Sequence, residues 1–359
     1  MPKAIYIHIP FCRSICSYCD FCKFVYNEKW VGAYLTGLRN EIKDRYMDEP
    51  IKTIYIGGGT PSCLTILELR RLFKIISVFN TSELEEFTFE CNLSDITEEL
   101  LVLLKYNKVN RLSIGIESFN KKNLEFMERS ADFKDASEKI ELCRRHGFLN
   151  INIDLMYAIP GETLHDLKKD IDLFLKLNPT HISTYSLILE EHTKATNNEA
   201  TYIAEELDYD MFRLIEKKVG KDNHYEISNY AIPGYESKHN LVYWNNEEYY
   251  GFGLGAAGYI DDIRYQNTKN LKEYLLGNYV DSTEMLGLKE KMDYEIMLGL
   301  RKLNGIDTIK FKEKYGQDIE SVYDLKLLLK NKDLIKRKNH IYINPEKIYV
   351  MNEILIKII

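Results

Sequence analysis

The 359-residue sequence lacks the features that mark membrane, secreted and nucleic-acid-binding proteins. It contains no apolar run of about 18 residues, the length a bilayer-spanning helix requires. No basic and then apolar leader opens the chain, because Met1 leads within a few residues into the strand-like AIYIHIPF. The formal net charge of -7 argues against a broad phosphate-binding surface. These absences predict a cytoplasmic protein that does not bind nucleic acid.

Cysteine is sparse everywhere except in one short stretch, IHIPFCRSICSYCDFC. Four of the seven cysteines lie there: Cys12, Cys16, Cys19 and Cys22. In a large chain from a reducing compartment, a tight cluster predicts metal binding or catalysis before it predicts disulfides. The other three cysteines are isolated along the chain, and we expect them to be small buried hydrophobic residues.

A repeated strand and helix pattern occupies the first part of the chain. Six segments rich in β-branched and aromatic residues are each followed by a helical pattern; they are AIYIHIPF, TIYIGGGTP, EFTFECN, RLSIGIESF, NINIDLMYAIP and HISTYSLILE. Their near-continuous apolar character is typical of a parallel sheet covered by helices. Polar, glycine and cysteine residues gather where each segment ends, as in the active sites of (β/α) barrels. The sequence therefore predicts an α/β fold with a complete or partial barrel.

The pattern changes twice after the barrel segments, which predicts three regions. Residues 1–220 form the barrel, and residues 221–284, dense in Tyr, Asn and Gly, are expected to be an irregular lid that connects it to the last region. Residues 285–359 read as three helices, a hairpin and a final amphipathic helix, which predicts a small winged-helix-like domain. That shape serves protein contacts as well as DNA binding.

Two kinds of metal site are compatible with the cysteine stretch. Four cysteines, or three with His8, could hold a tetrahedral zinc ion, although structural zinc sites commonly join ligand pairs from separate segments. Three thiolates at these close spacings could instead hold three irons of a [4Fe–4S] cluster and leave the fourth iron open to a small chelating ligand. The spacing favours the cluster.

The ends of the other strands supply groups suited to a polar ligand. The run from Gly57 to Pro61 gives a backbone that a ligand can approach closely. Glu90, Glu117 and Asp154 are carboxylates near strand ends that can accept hydrogen bonds from hydroxyl or ammonium groups. Arg129 can bind a carboxylate through two parallel hydrogen bonds.

The spacing Cys-x-x-x-Cys-x-x-Cys after the first strand resembles the radical S-adenosylmethionine superfamily, with a partial (β/α)6 barrel of the TIM type. Further segments are similar to the oxygen-independent coproporphyrinogen III oxidase family, and especially to its HemW branch, the haem chaperones. They are YIHIPFC, CSYCDF, GGGTPS, VNRLSIGIESFN, IDLMYAIPGET, YEISNYA and HNLVYW. The resemblance covers nearly the whole chain. It implies a [4Fe–4S] cluster, S-adenosylmethionine at its open iron, and haem or a porphyrin as cargo or substrate.

The resemblance also implies which residues form the site. The cluster ligands would be Cys12, Cys16 and Cys19. The contacts to S-adenosylmethionine would be Tyr6, Tyr18, Gly58, Gly59, Thr60, Glu90, Glu117, Arg129, Asp154 and Ile188. His239, in HNLVYW, falls in the motif linked with haem binding in the chaperone branch.

Three positions depart from the family pattern. Glu117 stands where the family usually has glutamine, so it adds a charge and loses two donors. Cys22 follows the third ligand by three residues, after Asp-Phe, whereas the decarboxylases place a further cysteine two residues after it; we expect Cys22 to be a bystander. The segment GLGAAG lacks a histidine that relatives often carry there.

Three functions are weighed on these grounds. The first is a haem chaperone that delivers haem to a membrane haemoprotein, with an electron donor such as a flavodoxin or ferredoxin serving the cluster. The second is an enzyme that oxidatively decarboxylates coproporphyrinogen III. The third is a zinc-bearing winged-helix adaptor for nucleic acid, which has no use for the six strand-end clusters and conflicts with the acidic charge balance. The Cys-Asp-Phe pattern and HNLVYW favour the chaperone.

Overall fold

The computed structural model describes residues 1–359, and a parallel sheet with helices between its strands forms its centre. Six strands, numbered in chain order, are adjacent and parallel: β1 (Ala4–Ile9), β2 (Thr53–Gly58), β3 (Glu86–Asn92), β4 (Arg111–Glu117), β5 (Asn150–Tyr157) and β6 (His181–Ser186). All six strand-like segments of the sequence are therefore strands of one sheet. The two edge strands of that sheet do not pair with each other, so the barrel is partial.

Helices follow each of the six strands. They are α1 (Glu28–Arg45), α2 (Ile66–Ile76), α3 (Glu98–Tyr106), α4 (Lys121–Met127), α5 (Phe133–Arg145), α6 (Leu164–Lys176), α7 (Lys194–Asn197) and α8 (Glu205–Val219). Two of them begin with a capping box, Thr65 with Glu68 in α2 and Thr163 with Asp166 in α6. Three single-turn 3₁₀ helices interrupt the connections, at Pro61–Cys63, Leu93–Asp95 and Lys221–Asn223.

Side chains alternate between two environments along the sheet. One set of alternate residues, which includes Ile7, Ile56, Phe89, Ile114 and Ile153, packs against the helices in a core of 53 buried hydrophobic residues. The intervening set points to the concave side and is largely polar. Because the side chains alternate, the apolar core lies between the strands and the surrounding helices, and polar side chains line the inside of the barrel.

Residues 221–284 differ from the irregular lid that the sequence predicts, because they form regular elements. They contain β7 (His224–Glu226), β8 (Asn229–Ala231), α9 (Lys238–Trp244), β9 (Tyr250–Phe252), β10 (Ala257–Ile260), β11 (Ile263–Asn267), α10 (Leu271–Leu275) and β12 (Val280–Met285). β8 extends the sheet antiparallel to β6, and β9 pairs parallel with β1. The many tyrosines have a packing role; the hydroxyl of Tyr265, for example, bonds to both backbone groups of Gly251.

Helix α9 lies at the amino ends of the barrel strands. Its first turn is held there by the buried carboxylate of Glu86, at the start of β3, which accepts hydrogen bonds from the backbone of Lys238 and His239. The helix therefore closes the floor of the barrel, opposite to the mouth that a lid would cover.

The last region has its own hydrophobic core of 18 buried residues. It comprises α11 (Leu288–Gly299), β13 (Ile306–Asp307), α12 (Thr308–Tyr315), α13 (Ile319–Val322), α14 (Lys326–Lys330), β14 (Leu334–Arg337), β15 (His340–Ile343), the 3₁₀ helix Pro345–Val350 and α15 (Met351–Ile356). Helix α8 connects it to the barrel, because Met211 and Ile215 pack in the barrel core while Phe212 packs in this second core. The winged-helix-like assignment stays a prediction. None of the helices in the structure is both long and apolar enough to cross a membrane.

Candidate functional site

One cavity of about 770 Å³ lies inside the barrel. It extends from the loops at the carboxyl ends of the strands down to Arg111 at the start of β4 and Asn240 in α9. It brings together most of the residues that the sequence selects: Cys12, Cys16, Tyr18, Cys19, Gly58, Gly59, Thr60, Glu90, Glu117, Arg129, Asp154 and Ile188. Tyr6 and His239 do not line it. Their roles in the site remain predictions.

The cysteine loop is held at both ends. Phe11–Cys12 and Phe24–Val25 form a two-stranded parallel pair that closes the loop between them. His8 Nε2 donates a hydrogen bond of 2.7 Å to the carbonyl of Cys22, so its Nδ1 accepts one of 2.9 Å from the Tyr6 hydroxyl. The half-buried Tyr6 thus acts on the loop through His8.

Two of the cysteine sulfurs contact residues predicted to bind S-adenosylmethionine. Thr60 Oγ1 donates to the sulfur of Cys12 at 3.5 Å, and Arg129 Nη1 donates to the sulfur of Cys16 at 3.4 Å. Burial raises the pKa of the Cys12 thiol to about 11, although the Thr60 hydrogen bond opposes this. A metal that binds here must therefore displace the thiol proton.

Cys22 differs from the other three cysteines of the loop in its surroundings. It does not line the cavity, and its side chain packs against Gly255. A Cβ added to Gly255 would lie 3.1 Å from the Cys22 sulfur. This placement agrees with a bystander role, which remains a prediction. No three His, Cys, Asp or Glu side chains converge closely enough to hold a single metal ion. A cubane distributes its thiolates over separate irons, and Cys12, Cys16 and Cys19 all line the cavity.

The glycine run after β2 packs directly against the cysteine loop. Gly58 has φ of +114°, which side chains rarely adopt, and a Cβ there would lie 2.7 Å from the His8 ring. A Cβ on Gly59 would lie 2.7 Å from the carbonyl oxygen of Phe11 and 3.0 Å from the sulfur of Cys12. Glycine is therefore required for this strand end to lie beside the first cysteine.

Glu90 is fixed on the cavity wall by two donors. The Tyr55 hydroxyl donates to it at 2.7 Å and the backbone N–H of Gly58 at 3.0 Å. Burial, with a contribution from Asp154, raises its pKa to about 7, while the two hydrogen bonds oppose the rise. Near neutral pH this carboxyl can therefore accept or donate a hydrogen bond.

Glu117 and Arg129 form a pair at the mouth side of β4. A β-bulge precedes Glu117, which has φ of +70°, a conformation that non-glycine residues adopt rarely and often at functional sites. Arg129 Nη2 lies 3.9 Å from Glu117 Oε1 and donates to the carbonyl of Gly115 at 2.7 Å. Burial raises the pKa of Glu117 to about 7, and the Arg129 charge works against the rise. Burial lowers the pKa of Arg129, but Glu117 and the neighbouring Tyr18 and Cys16 outweigh it, so this guanidinium stays charged.

Asp154 lies on the next strand and is part of a polar row. Asn152 Nδ2 donates to Asp154 at 2.9 Å, and the side-chain Oδ1 of Asn152 accepts a hydrogen bond from the Ser183 hydroxyl at 3.1 Å. Burial raises the pKa of Asp154. Ile188, at the rim, is 61% exposed, which leaves an apolar surface free at the mouth.

His239 occupies a different environment from the one its motif suggests. Its side chain is fully buried under the barrel, with Nδ1 2.9 Å from Thr53 Oγ1 and Nε2 2.7 Å from the Tyr243 hydroxyl. Burial lowers its pKa to about 3, so the ring is neutral. Both nitrogens are occupied, and coordination of a haem iron would require at least the Tyr243 hydrogen bond to break.

Sequence reasoning missed the deeper part of the cavity. The additional polar lining includes Arg111, Ser113, Asn152 and Ser183. A sequence signal exists for three of them, because Asn152 stands two positions before Asp154, and Arg111 and Ser113 stand four and two positions before Gly115 on the strand that carries Glu117, so they share the inward face. Ser183 has no such neighbour among the predicted site residues. The strand segments contain many apolar residues at the intervening positions, and they therefore read as nearly continuous apolar runs rather than alternating ones.

The chain is similar to known proteins over most of its length. Residues 6–174 match the model of the radical SAM superfamily. The heme chaperone HemW of Lactococcus lactis is 39% identical over 352 residues, with 93% of each chain covered. HemW of Bacillus subtilis is 39% identical with 89% of each chain covered, and HemW of Escherichia coli is 29% identical over 86% of this chain and 85% of that one.

This chain belongs to the HemW family of radical SAM proteins. Among solved structures, coproporphyrinogen III oxidase (HemN) from E. coli, described as a radical SAM enzyme, matches with a TM-score of 0.86 at 22% identity, over 99% of this chain and 89% of that one. That likeness shows a common fold. It confirms the α/β class and the parallel sheet that the sequence predicts.

Membership of the radical SAM superfamily implies a [4Fe–4S] cluster and S-adenosylmethionine, and the cavity fits both groups. Three thiols of one loop face it, and the glycine backbone at Gly58 and Gly59 leaves space that a Cβ would fill. The cluster with its bound sulfonium supplies one-electron chemistry when present. Cys12, Cys16 and Cys19 would hold the iron, Arg129 would bind the methionyl carboxylate, and Glu117 and Asp154 would accept hydrogen bonds from the ribose.

Proposed function

We propose that this protein is a haem chaperone, which binds haem as cargo and transfers it to haemoproteins. The observation that carries the proposal is the 39% identity over 93% of both chains with a protein named heme chaperone HemW. The match covers 93% of this chain, so it extends beyond residues 6–174, which match the radical SAM model. The likeness to the coproporphyrinogen III oxidase structure supports a porphyrin-related fold only, because the identity is 22%.

In this proposal the cluster and S-adenosylmethionine occupy the mouth side of the barrel cavity and serve regulation or assembly. The ten residues assigned to S-adenosylmethionine by the family pattern act there, with Tyr6 acting through His8 on the cysteine loop. His239 is the candidate axial ligand of the haem. Its neutral ring is the form that binds iron, but it must first exchange its hydrogen bond to Tyr243.

We also propose the setting in which the chaperone acts. The recipient is a membrane haemoprotein, and the electron donor to the cluster is a flavodoxin or a ferredoxin. The site of action is the cytoplasm.

The experiment that tests the function uses anaerobically purified protein with its cluster reconstituted. Haem is titrated and followed by its absorption bands, and coproporphyrinogen III is supplied in parallel with S-adenosylmethionine and a reductant. We expect stoichiometric haem binding and no decarboxylated product. Turnover to protoporphyrinogen without haem binding would favour the oxidase instead.

The cluster itself needs a separate check. Reconstituted protein should carry about four irons with the absorption and paramagnetic signals of a [4Fe–4S] cluster. Colourless protein that binds zinc in stoichiometric amount would remove the basis of the proposal.

A further inference from the structure

Arg111 is a buried charged residue of the barrel that has no role in binding the proposed cluster or S-adenosylmethionine. It begins β4, its side chain lines the deep end of the cavity, and it is only 2% exposed. The guanidinium makes one protein hydrogen bond, a long one of 3.5 Å from Nη1 to Thr88 Oγ1. Its Nε is buried without any partner. None of the arginine ion pairs of the structure includes it.

A buried guanidinium with so few partners is costly to the fold. Buried charges are normally paired with an opposite charge or fully hydrogen-bonded. Glu90 and Asp154 are close enough for the charge of Arg111 to affect their pKa values, yet each is held by its own donors, Tyr55 with Gly58 and Asn152 respectively. The arginine therefore retains free donors that face the cavity.

The surroundings of Arg111 have the composition of a ligand subsite. Ser113, Asn152 and Ser183 line the wall beside it, and Asn240 of α9 lines the floor. The Ser113 hydroxyl accepts a hydrogen bond from Asn152 at 2.8 Å and can still donate its own proton to an oxygen, as can the side-chain amide of Asn240, whereas Asn152 and Ser183 donate within the wall. The Arg129 end of the same cavity is where the methionyl carboxylate of S-adenosylmethionine is expected, so the deep end is available to a second group. A volume of about 770 Å³ lies in the upper part of the range for small-molecule sites.

We propose that the deep end of the cavity is a carboxylate-binding subsite, in which Arg111 forms two parallel hydrogen bonds with a carboxylate of a ligand other than the S-adenosylmethionine at the cluster. Arginine is the side chain best shaped for this contact. The inference deepens the proposed function, because haem carries two propionate carboxylates. A free organic acid offers the same chemistry, and the test distinguishes the two sources.

The test uses the full-length protein with its cluster reconstituted, as wild type and as Arg111→Gln, Arg111→Lys and Asn240→Leu. Arg111→Gln removes the charge, and Arg111→Lys keeps the charge but cannot form two parallel hydrogen bonds. Asn240→Leu places a larger apolar side chain in the floor of the cavity and keeps Arg111. Arg70→Gln, an exposed position on α2, is the matched control. Haem and its dimethyl ester, which lacks free carboxylates, are titrated by absorption, and malonate is tested by the shift it causes in the melting temperature.

If haem supplies the carboxylate, wild type and Arg70→Gln bind haem about tenfold more tightly than the dimethyl ester, and the three other variants lose most of this preference. If a free acid is the ligand, haem and its ester bind alike, but malonate raises the melting temperature of wild type and not that of Arg111→Gln or Asn240→Leu.

The proposal is overturned if the variants neither lose a preference for haem over its ester nor lose a malonate shift. Should Arg111→Gln not fold, Asn240→Leu decides by the same two readings. Failure of the subsite is distinct from failure of the chaperone function. Equal binding of haem and its ester with no malonate effect removes the subsite alone, whereas a malonate effect without any haem binding removes the chaperone function alone.

Discussion

Arg129 joins two parts of the site, because its Nη1 donates to the sulfur of Cys16 while its Nη2 donates to the carbonyl of Gly115 on β4. One side chain thus ties the cysteine loop to the strand that carries Glu117. It is charged, largely buried and directed into the cavity. This connection leads to the first two predictions.

Replacing Arg129 by Gln should weaken binding of S-adenosylmethionine by about tenfold, because a charge-assisted contact to its carboxylate is lost. Iron content should change little, since Cys16 keeps its place in the chain. Equilibrium dialysis under anaerobic conditions measures the affinity, and Arg145→Gln, at an exposed position on α5, serves as the control. Equal affinity in wild type and Arg129→Gln would assign the arginine to structure alone.

Glu117→Gln should have the opposite effect on affinity, and only at the higher pH. The pKa of Glu117 is about 7, so near pH 8 the carboxylate is charged and competes for Arg129, whereas near pH 6 it is largely neutral. Glutamine removes this competition, and we expect S-adenosylmethionine to bind about fivefold more tightly near pH 8, the equivalent of about 1 kcal/mol. The affinities near pH 6 should agree within error. A weaker affinity of Glu117→Gln near pH 8 would show instead that the charge of Glu117 helps to bind the ligand.

Serine substitution of the four loop cysteines should separate ligands from bystander. Cys12→Ser, Cys16→Ser and Cys19→Ser should each lose most of the iron on reconstitution, because a cluster site loses one of three thiolates. Cys22→Ser should keep the iron content and the absorption spectrum of wild type, since its side chain packs against Gly255 outside the cavity. Iron loss in Cys22→Ser as severe as in Cys16→Ser would make it a ligand.

His239 and Tyr243 allow a test of haem coordination that a single substitution cannot give. His239→Ala should abolish the absorption shift of bound haem if the ring is the axial ligand. Tyr243→Phe removes the hydroxyl that occupies Nε2, so it should bind haem at least as tightly as wild type and reach the bound spectrum faster. An unchanged haem spectrum in His239→Ala would leave this histidine with a purely structural role in the floor of the barrel.

Glu162 should make stability depend on pH in a direction that follows from its burial. It accepts hydrogen bonds from Asn123 at 2.9 Å and from the backbone of Ile159 at 3.2 Å, and burial raises its pKa to about 7. A raised pKa favours the neutral form in the fold, so the stabilisation is complete below the ordinary pKa and is lost as pH rises through about 7.

The free energy of unfolding of wild type should therefore fall relative to that of Glu162→Gln between about pH 5 and pH 8, by up to about 3 kcal/mol. Denaturant titrations at several pH values measure the difference, which cancels the contribution of the other buried acids. Glu99→Gln, at an exposed position on α3, should show no such trend. A constant difference across this range would contradict the prediction.

The sequence predicted the barrel well because its signals are local. Each strand is a short apolar run, and the residues at its carboxyl end meet at one edge of a parallel sheet, which is why Cys12, Gly59, Glu90 and Asp154 line one cavity. It failed where position depends on distant packing. The sequence of α9 does not indicate that the first turn of this helix is held under the barrel by Glu86, a residue more than 150 positions earlier in the chain.

Arg111 illustrates a different limit. Its own segment reads as the start of an apolar strand, and its burial becomes evident only once β3, β4 and β5 lie side by side. The hydrogen-bond partners of its guanidinium are residues from other parts of the chain that lie near it in the fold. The sequence around Arg111 therefore does not show that these partners are few.

The position of α9 has a thermodynamic consequence, because adjacent residues of this short helix face two compartments. Asn240 borders the cavity, and His239 is enclosed in the polar layer beneath it. Any shift of the helix that frees the imidazole also moves Asn240 in the floor of the cavity. Occupancy of the cavity and metal coordination by His239 are then coupled through one helix, and by reciprocity each changes the affinity for the other by the same factor.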